Sequence, residues 1–221
     1  MEALQRRRVR RLDLLQYERR RASGGKAKKG EECDYRRGYL YSVGAGRRAG
    51  PFYQKIKAFR VGGFYVRAFR VPHNMPCVGF NVYIDEDKEA TFAYDFRRPS
   101  DEERGELVSS LVDLGIFVIE ANYDDGLIMG TSVDSSNDIN HIENARDNHL
   151  SNFDTVKPIL DVMDTSLTKP RKVVLAHMST KHNKKSVAKS IVEDAIRRTG
   201  NRIPVFIAPH FEDNKTLKVS I

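Results

Sequence analysis

The sequence has few cysteines and no long apolar segment. Cys33 and Cys77 stand in unlike contexts among the 221 residues, so they do not form the pattern of a disulfide framework or a zinc knuckle. No run approaches the roughly 18 uninterrupted apolar residues of a membrane helix, and the N-terminus lacks the apolar core of a signal peptide. The chain also lacks an internal repeat. These absences predict a cytoplasmic protein that does not enter a membrane.

Positive charge is concentrated at the start of the chain. Residues 1–70 hold 20 Lys/Arg and 6 Asp/Glu, whereas residues 71–221 hold 18 and 24. We therefore expect a basic, flexible arm over residues 1–40 and one domain over residues 41–221. Such an arm can neutralise the phosphates of a nucleic acid without reading its sequence. A solvated, disordered tail without a partner is the alternative interpretation.

Short apolar runs bounded by polar residues predict the strands of an α+β domain. The run Val173–Ala176 is the clearest, because polar residues follow it directly and are themselves followed by an apolar stripe with helical spacing. The other predicted strands are Phe64–Val71, Cys77–Ile84, Ala90–Tyr94, Ile116–Ile119, Ile203–Ala208 and Leu217–Ile221.

Capping residues and apolar stripes predict the helices. Ser100 is an expected N-cap, with acidic residues in the first turn and an end near Leu114 and Gly115. Ser151 or Asn152 caps a further helix, in which we expect Pro158 to lie in the first turn. The remaining helices are expected over residues 134–147 and from Val187 to Ile196, the latter closed by Gly200.

Chemically capable side chains follow several of the predicted strands. His73, Asp95 and His177 each come directly after a strand, and Glu120, Asn122, Asp124 and His149 lie on further loops. Two imidazoles and a carboxylate suit zinc, manganese or iron. The alternative interpretation is a set of ordinary hydrogen-bonded residues at loop ends, since these positions are far apart in sequence.

The order of these segments resembles the metallo-β-lactamase-fold hydrolases, in particular the branches related to ribonuclease Z and to small bacterial and phage cell-wall-linked exonuclease-like proteins. The resemblance covers roughly residues 61–200. The segments that carry it are His73-Asn, Asp95, Glu120-Ala-Asn-Tyr-Asp124, His149-Leu-Ser-Asn152 and Leu175-Ala-His-Met-Ser179.

This resemblance implies an αββα sandwich and a metal-dependent hydrolase that acts on phosphodiesters of nucleic acids. It implies a divalent metal ion, with zinc first and manganese or iron as alternatives. By the same resemblance His73 and His177 are metal ligands and Asp95 is a bridging carboxylate. His149 contacts the scissile phosphate or the leaving group, and the remaining catalytic-site residues orient the histidines. Those supporting residues are Glu120, Asn122 and Asp124.

The departures from the family pattern are equally specific. The chain contains no His-x-His-x-Asp-His motif, Asn74 follows the predicted ligand His73, and Asn148 precedes His149. We therefore expect the C-terminal portion of the fold with an incomplete N-terminal sheet, and an apolar sheet face that a homodimer or a partner chain would cover. Two further alternatives are a non-catalytic nucleic-acid-binding or regulatory relative and a half-protein completed by another polypeptide.

Overall fold

The computed structural model describes residues 58–131, 136–210 and 217–218, together with the backbone of two short strands. These strands, β1 (Cys33–Asp34) and β2 (Tyr41–Ser42), pair in antiparallel fashion. Apart from β1, the predicted basic arm over residues 1–40 lies outside the described residues.

A seven-stranded mixed sheet forms the centre of the molecule, with its strands in chain order. The first four strands are antiparallel and the last four, which share the middle strand β6, are parallel. The predicted α+β class is therefore confirmed. The strands are β3 (Ala58–Val61), β4 (Phe64–Val71), β5 (Cys77–Ile84), β6 (Asp87–Ala93), β7 (Ile116–Glu120), β8 (Lys172–Ala176) and β9 (Val205–Ile207).

Five helices are described, and their starts follow the capping chemistry of the sequence. Ser100 accepts a hydrogen bond from the backbone N–H of Glu103, whose carboxylate accepts one from the Ser100 N–H in return, which is a complete capping box. Ser151 caps the fourth helix by accepting from Asp154. The helices are α1 (Asp101–Leu111), α2 (Asp125–Met129), α3 (Ser136–Asn148), α4 (Asn152–Thr165) and α5 (Lys185–Arg198).

None of the helices in the described part of the chain is long and apolar enough to cross a membrane.

The main core lies between one face of the sheet and three of the helices. Alternate residues of the central strands, such as Phe117 and Ile119, are fully buried on this face. The helices contribute Leu107 and Leu111 from α1, Ile159, Val162 and Met163 from α4, and Ala188, Val192 and Ile196 from α5. Burial of these stripes holds α1, α4 and α5 against the sheet and fixes the loops that follow the strands.

The opposite face of the sheet is also apolar but is only partly covered. Ile116 and Val174 are buried there, while Phe80, Phe92 and Phe206 are partly buried beside them. No described helix contributes to this cluster. The coverage of this face by a homodimer or a partner chain stays a prediction.

Two helices differ from the sequence-based expectation. Helix α1 ends at Leu111 rather than near Leu114. Gly115 does not end it; a Cβ at this position would lie 2.6 Å from the Glu89 carbonyl oxygen, so Gly115 permits close approach of two chain segments. Pro158 is the seventh residue of α4 and not part of its first turn. Its missing N–H leaves one helical hydrogen bond unmade, and the buried position of its ring in the core offsets that loss.

The end of the chain also departs from the expectation. Strand β9 is shorter than the predicted Ile203–Ala208. Leu217 and Lys218 form no strand, and the rest of the predicted strand to Ile221 lies outside the described residues.

Candidate metal centre

The carboxyl ends of the parallel strands bring the predicted site residues to one edge of the sheet. Asp95 follows β6, Glu120 is the last residue of β7, and His177 follows β8 directly. Because parallel strands all end at the same edge, these residues meet although they are far apart in sequence. His149 joins them from the loop after α3, where the Asn122 N–H donates to the Leu150 carbonyl at 2.9 Å.

Three metal-binding side chains converge at this edge. Asp95, His149 and His177 each offer one ligand atom, and these atoms all lie within 4.8 Å of one another. Asp95 is buried, and His149 and His177 are progressively more open to solvent. A carboxylate oxygen and two imidazole nitrogens at this spacing can bind one divalent metal ion.

Glu120 is fully buried beneath both histidines. Its Oε1 lies 2.9 Å from His177 Nδ1 and 2.8 Å from His149 Nδ1, while its Oε2 accepts a hydrogen bond of 2.9 Å from the Phe96 N–H. The His149 Nδ1 is close but not aligned for a hydrogen bond to Glu120, and it has no other hydrogen-bond partner among the described residues. A ring whose Nδ1 faces Glu120 directs its Nε2 away from that carboxylate, which is the orientation a metal ligand needs.

The charge of Glu120 is stabilised by the two imidazoles. Burial raises the pKa of Glu120, but contacts with His149 and His177 lower it by more, so its pKa lies below the usual value. Burial likewise lowers the pKa of His177, but the hydrogen bond and charge of Glu120 outweigh burial and raise it. The base of the site is therefore a buried anion that holds one ring in a fixed orientation.

Two of the three donors adopt left-handed backbone conformations. The φ angle is 62° at Asp95 and 51° at His177. Aspartate and histidine tolerate this region better than most residues, but it remains unfavourable without support. The support at His177 comes from Asn122, whose side-chain Nδ2 donates to the His177 carbonyl at 2.8 Å.

His73 lies beside this group but in a different hydrogen-bonding state. The Met75 N–H donates to His73 Nδ1 at 3.1 Å, so the proton of the neutral ring belongs to Nε2, which is 3.8 Å from Asp95 Oδ1. Burial lowers the pKa of His73, although the charge of Asp95 opposes this. In this state His73 presents an N–H and not a lone pair towards Asp95. The three-donor group contains His149 in place of His73.

The other two predicted supports have different contacts. Asn122 positions the backbone at His177, as described above. Asp124 caps α2 by accepting from the Leu127 N–H at 3.0 Å, and its other oxygen is 3.4 Å from the Asn152 side-chain nitrogen. Asp124 therefore fixes the loop after β7 rather than a histidine ring.

Solved metallo-β-lactamase-fold proteins are among the structures similar to this chain. The metallo-β-lactamase-fold protein YhfI from Bacillus subtilis is 10% identical, with a TM-score of 0.47, and the match covers 71% of this chain and 51% of that one. The short form of human tRNase Z is 17% identical, with a TM-score of 0.42 and coverage of 69% and 43%. A point mutant of CmlA β-hydroxylase is 14% identical, with a TM-score of 0.47 and coverage of 75% and 32%.

The chain spans about half, or less, of the length of these structures. No protein-family model and no curated protein matches the sequence.

Sequence reasoning missed a polar network that supports the site from below. The Asn183 side chain donates to the Ala121 carbonyl at 2.9 Å and to Asn152 Oδ1 at 2.9 Å. The Thr155 hydroxyl donates to the Glu120 carbonyl at 2.7 Å. Asn152 was an expected helix cap, and Asn183 follows the end of a predicted strand. The sequence therefore indicated that both positions matter locally, but it did not indicate that the two side chains bind each other. The network locks the loops after β7 and β8 to the start of α4.

Proposed function

We propose that this chain is a metal-dependent hydrolase that holds one divalent ion, with zinc first, among Asp95, His149 and His177. The observation that carries the proposal is the convergence of these three donors within 4.8 Å above the buried Glu120. Catalytic zinc sites commonly use three protein ligands and leave a position open. The same donor types also suit iron, which makes metal identity part of the test.

The side chains around the ion have separate tasks. Glu120 holds the His177 ring by its Nδ1 and lies 2.8 Å from His149 Nδ1, so it restrains both imidazoles from below. His73 Nε2 faces the Asp95 carboxylate and would restrict its orientation. When bound, a divalent ion lowers the pKa of water and polarises a phosphoryl or carbonyl oxygen.

A phosphodiester substrate is supported by the basic loop beside Asp95 and by the sequence resemblance. Arg98 lies three residues after Asp95, its side chain is 76% exposed, and its contact with Asp154 is long at 3.6 Å. Such a guanidinium remains free to bind a phosphate in a bidentate manner. Arg97 is less suited, because it is paired with Glu103 at 2.7 Å.

This proposal makes His149 a metal ligand, whereas the sequence resemblance makes His73 the ligand and places His149 at the substrate. If His149 is a ligand and His73 is not, His149→Ala lowers the metal content of the purified protein and His73→Ala leaves it near the wild-type level. The reverse result would return His73 to the ligand set and His149 to the substrate side. Elemental mass spectrometry of the two variants gives the answer.

The proposed activity is tested with the full chain and a labelled single-stranded oligonucleotide in the presence of zinc, manganese or iron. We expect cleavage that requires the metal and is abolished in Asp95→Asn, together with the loss of one metal equivalent. Asp101→Asn is the matched control, since its carboxylate is 96% exposed and contacts Arg104 of the same helix. A folded wild-type chain that takes up no metal at the centre and cleaves nothing overturns the proposal. It would leave a nucleic-acid-binding module or a half-protein that needs a partner.

A further inference from the structure

A second pair of histidines lies outside the candidate metal centre. His182, in the loop between β8 and α5, is only 4% exposed, whereas His141 is on the exposed side of α3. The centroids of the two rings are 5.6 Å apart, with an angle of 43° between their planes. Neither residue has a part in the proposed hydrolysis.

The hydrogen bonds of Thr131 determine which nitrogen of His182 carries the proton. The Thr131 hydroxyl donates to the Leu127 carbonyl at 3.0 Å. Its single hydrogen is then used, so its contact of 3.2 Å with His182 Nδ1 requires that nitrogen to donate. The opposite arrangement would leave both the Leu127 carbonyl and a buried Nε2–H without partners, which is less favourable. His182 is therefore protonated on Nδ1 and carries a lone pair on Nε2.

This lone pair is buried without a hydrogen bond. His182 Nε2 is enclosed by protein, and no described residue donates to it. Burial lowers the pKa of His182, and the nearby His141 and Lys181 lower it further. These surroundings disfavour the addition of a proton at Nε2. A water that donates a hydrogen bond, or a metal ion that accepts its electron pair, would satisfy this acceptor.

We propose that His141 and His182 form a second metal site, which takes a divalent transition-metal ion such as zinc. Imidazole is a preferred ligand of zinc, copper and nickel. Two imidazoles on one tetrahedral zinc, with Zn–N bonds of about 2.1 Å, have ring centroids roughly 5 Å apart. The observed separation of 5.6 Å is close to this value.

The ion would connect α3 to the loop after β8. Among the described side chains of α3, Ala145 and part of Ile142 pack against Tyr123 and Ile128, which is a small apolar contact. The same helix leads directly into His149 of the candidate centre. The second site is therefore structural: it fixes a weakly packed helix that delivers a residue to the first site.

The test is a cycle of zinc stoichiometries measured by equilibrium dialysis and elemental mass spectrometry on the full chain. We expect two zinc equivalents in the wild type, one in His141→Ala, one in His177→Ala, and none in the double variant. His141 is exposed, so its removal leaves the core intact, and His182→Ala provides a second variant. Asn140→Ala, an exposed change one position earlier on α3, should bind as the wild type does.

The two sites fail in distinguishable ways. If the candidate centre takes no zinc, the wild type binds one equivalent and His141→Ala none, and the second site stands. Equal zinc content in the wild type and His141→Ala overturns the proposal, as does an equal loss in Asn140→Ala. Hydrogen exchange supplies an independent readout, since zinc should slow exchange of the α3 amides in the wild type and not in His141→Ala.

Discussion

Glu120 is the buried carboxylate that contacts both candidate imidazole ligands, at 2.9 Å from His177 Nδ1 and 2.8 Å from His149 Nδ1. Replacing it with Gln keeps the size of the side chain but removes the charge that faces both imidazoles. We expect Glu120→Gln to weaken zinc binding at the first site about 10- to 100-fold, the usual cost of losing a group that orients a ligand. Competition with a chromophoric chelator measures this affinity.

The matched control is Glu193→Gln on α5, whose carboxylate contacts only the neighbouring Lys189 at 3.6 Å among the described ion pairs. It should leave zinc affinity unchanged. Wild-type affinity in Glu120→Gln would mean that packing alone orients His149 and His177, and that the buried carboxylate serves another purpose.

For individual residues, the sequence predicted which side chains lie at the ends of strands better than it predicted which atoms they contact. The positions of Asp95, Glu120 and His177 at strand ends followed from apolar runs and were found as expected. The inclusion of His149 in the donor group in place of His73 was not predictable, because it depends on side-chain distances that only the folded chain sets. The Met75 N–H that occupies His73 Nδ1 is a local loop contact with no sequence signal.

The bounds of a helix or strand were predicted correctly where a single physical factor determines where it ends. Strand β5 has the predicted bounds, Cys77–Ile84, because both its ends coincide with polar or turn residues. The end of α1 was misplaced because Gly115 satisfies a packing constraint that resembles a helix-termination signal. Pro158 was misplaced because burial of its ring outweighs the helical hydrogen bond that it lacks.

The start of α1 offers a test of the capping box. Ser100→Ala removes the side chain that accepts from the Glu103 N–H, and should lower the free energy of unfolding by about 1 kcal/mol. Urea denaturation followed by circular dichroism measures it. The same change at Ser109, an exposed residue later in α1, should have a smaller effect.

The capping box also predicts a dependence on pH. The Ser100 N–H and then Arg97 lower the pKa of Glu103. Its stabilising contribution is therefore present above the unfolded pKa of about 4.3 and is lost as the pH falls through the lower folded value. Glu103→Gln should be less stable than the wild type at pH 7 and equal to it at strongly acid pH. The difference should be small, because Glu103 is 36% exposed. Glu106→Gln is the control, and a gap that persists in acid would contradict the assignment.

Positive charge is concentrated in residues 1–70 of the molecule, whereas residues 71–221 are mildly acidic, with 18 Lys/Arg and 24 Asp/Glu. Residues 1–40 hold 13 Lys/Arg and 6 Asp/Glu, whereas the candidate centre itself is built around the carboxylates Asp95 and Glu120. A polyanionic substrate would be repelled by those carboxylates unless basic groups elsewhere attract it. The charge pattern therefore assigns attraction of the substrate to the basic N-terminal residues and hydrolysis to the candidate metal centre. Either region can be altered by mutation without altering the other.

Removal of residues 1–40 tests this separation. If the arm contacts phosphates, the truncated chain binds single-stranded RNA more weakly, and its affinity depends less on salt. Loss of about four phosphate contacts reduces the slope of log K against log salt by roughly 3. Fluorescence anisotropy with a labelled RNA at several salt concentrations gives both quantities. Zinc content should not change, because the donors all lie beyond residue 90. An unchanged slope would mean that the basic arm does not bind nucleic acid, and would transfer substrate attraction to surface arginines such as Arg98.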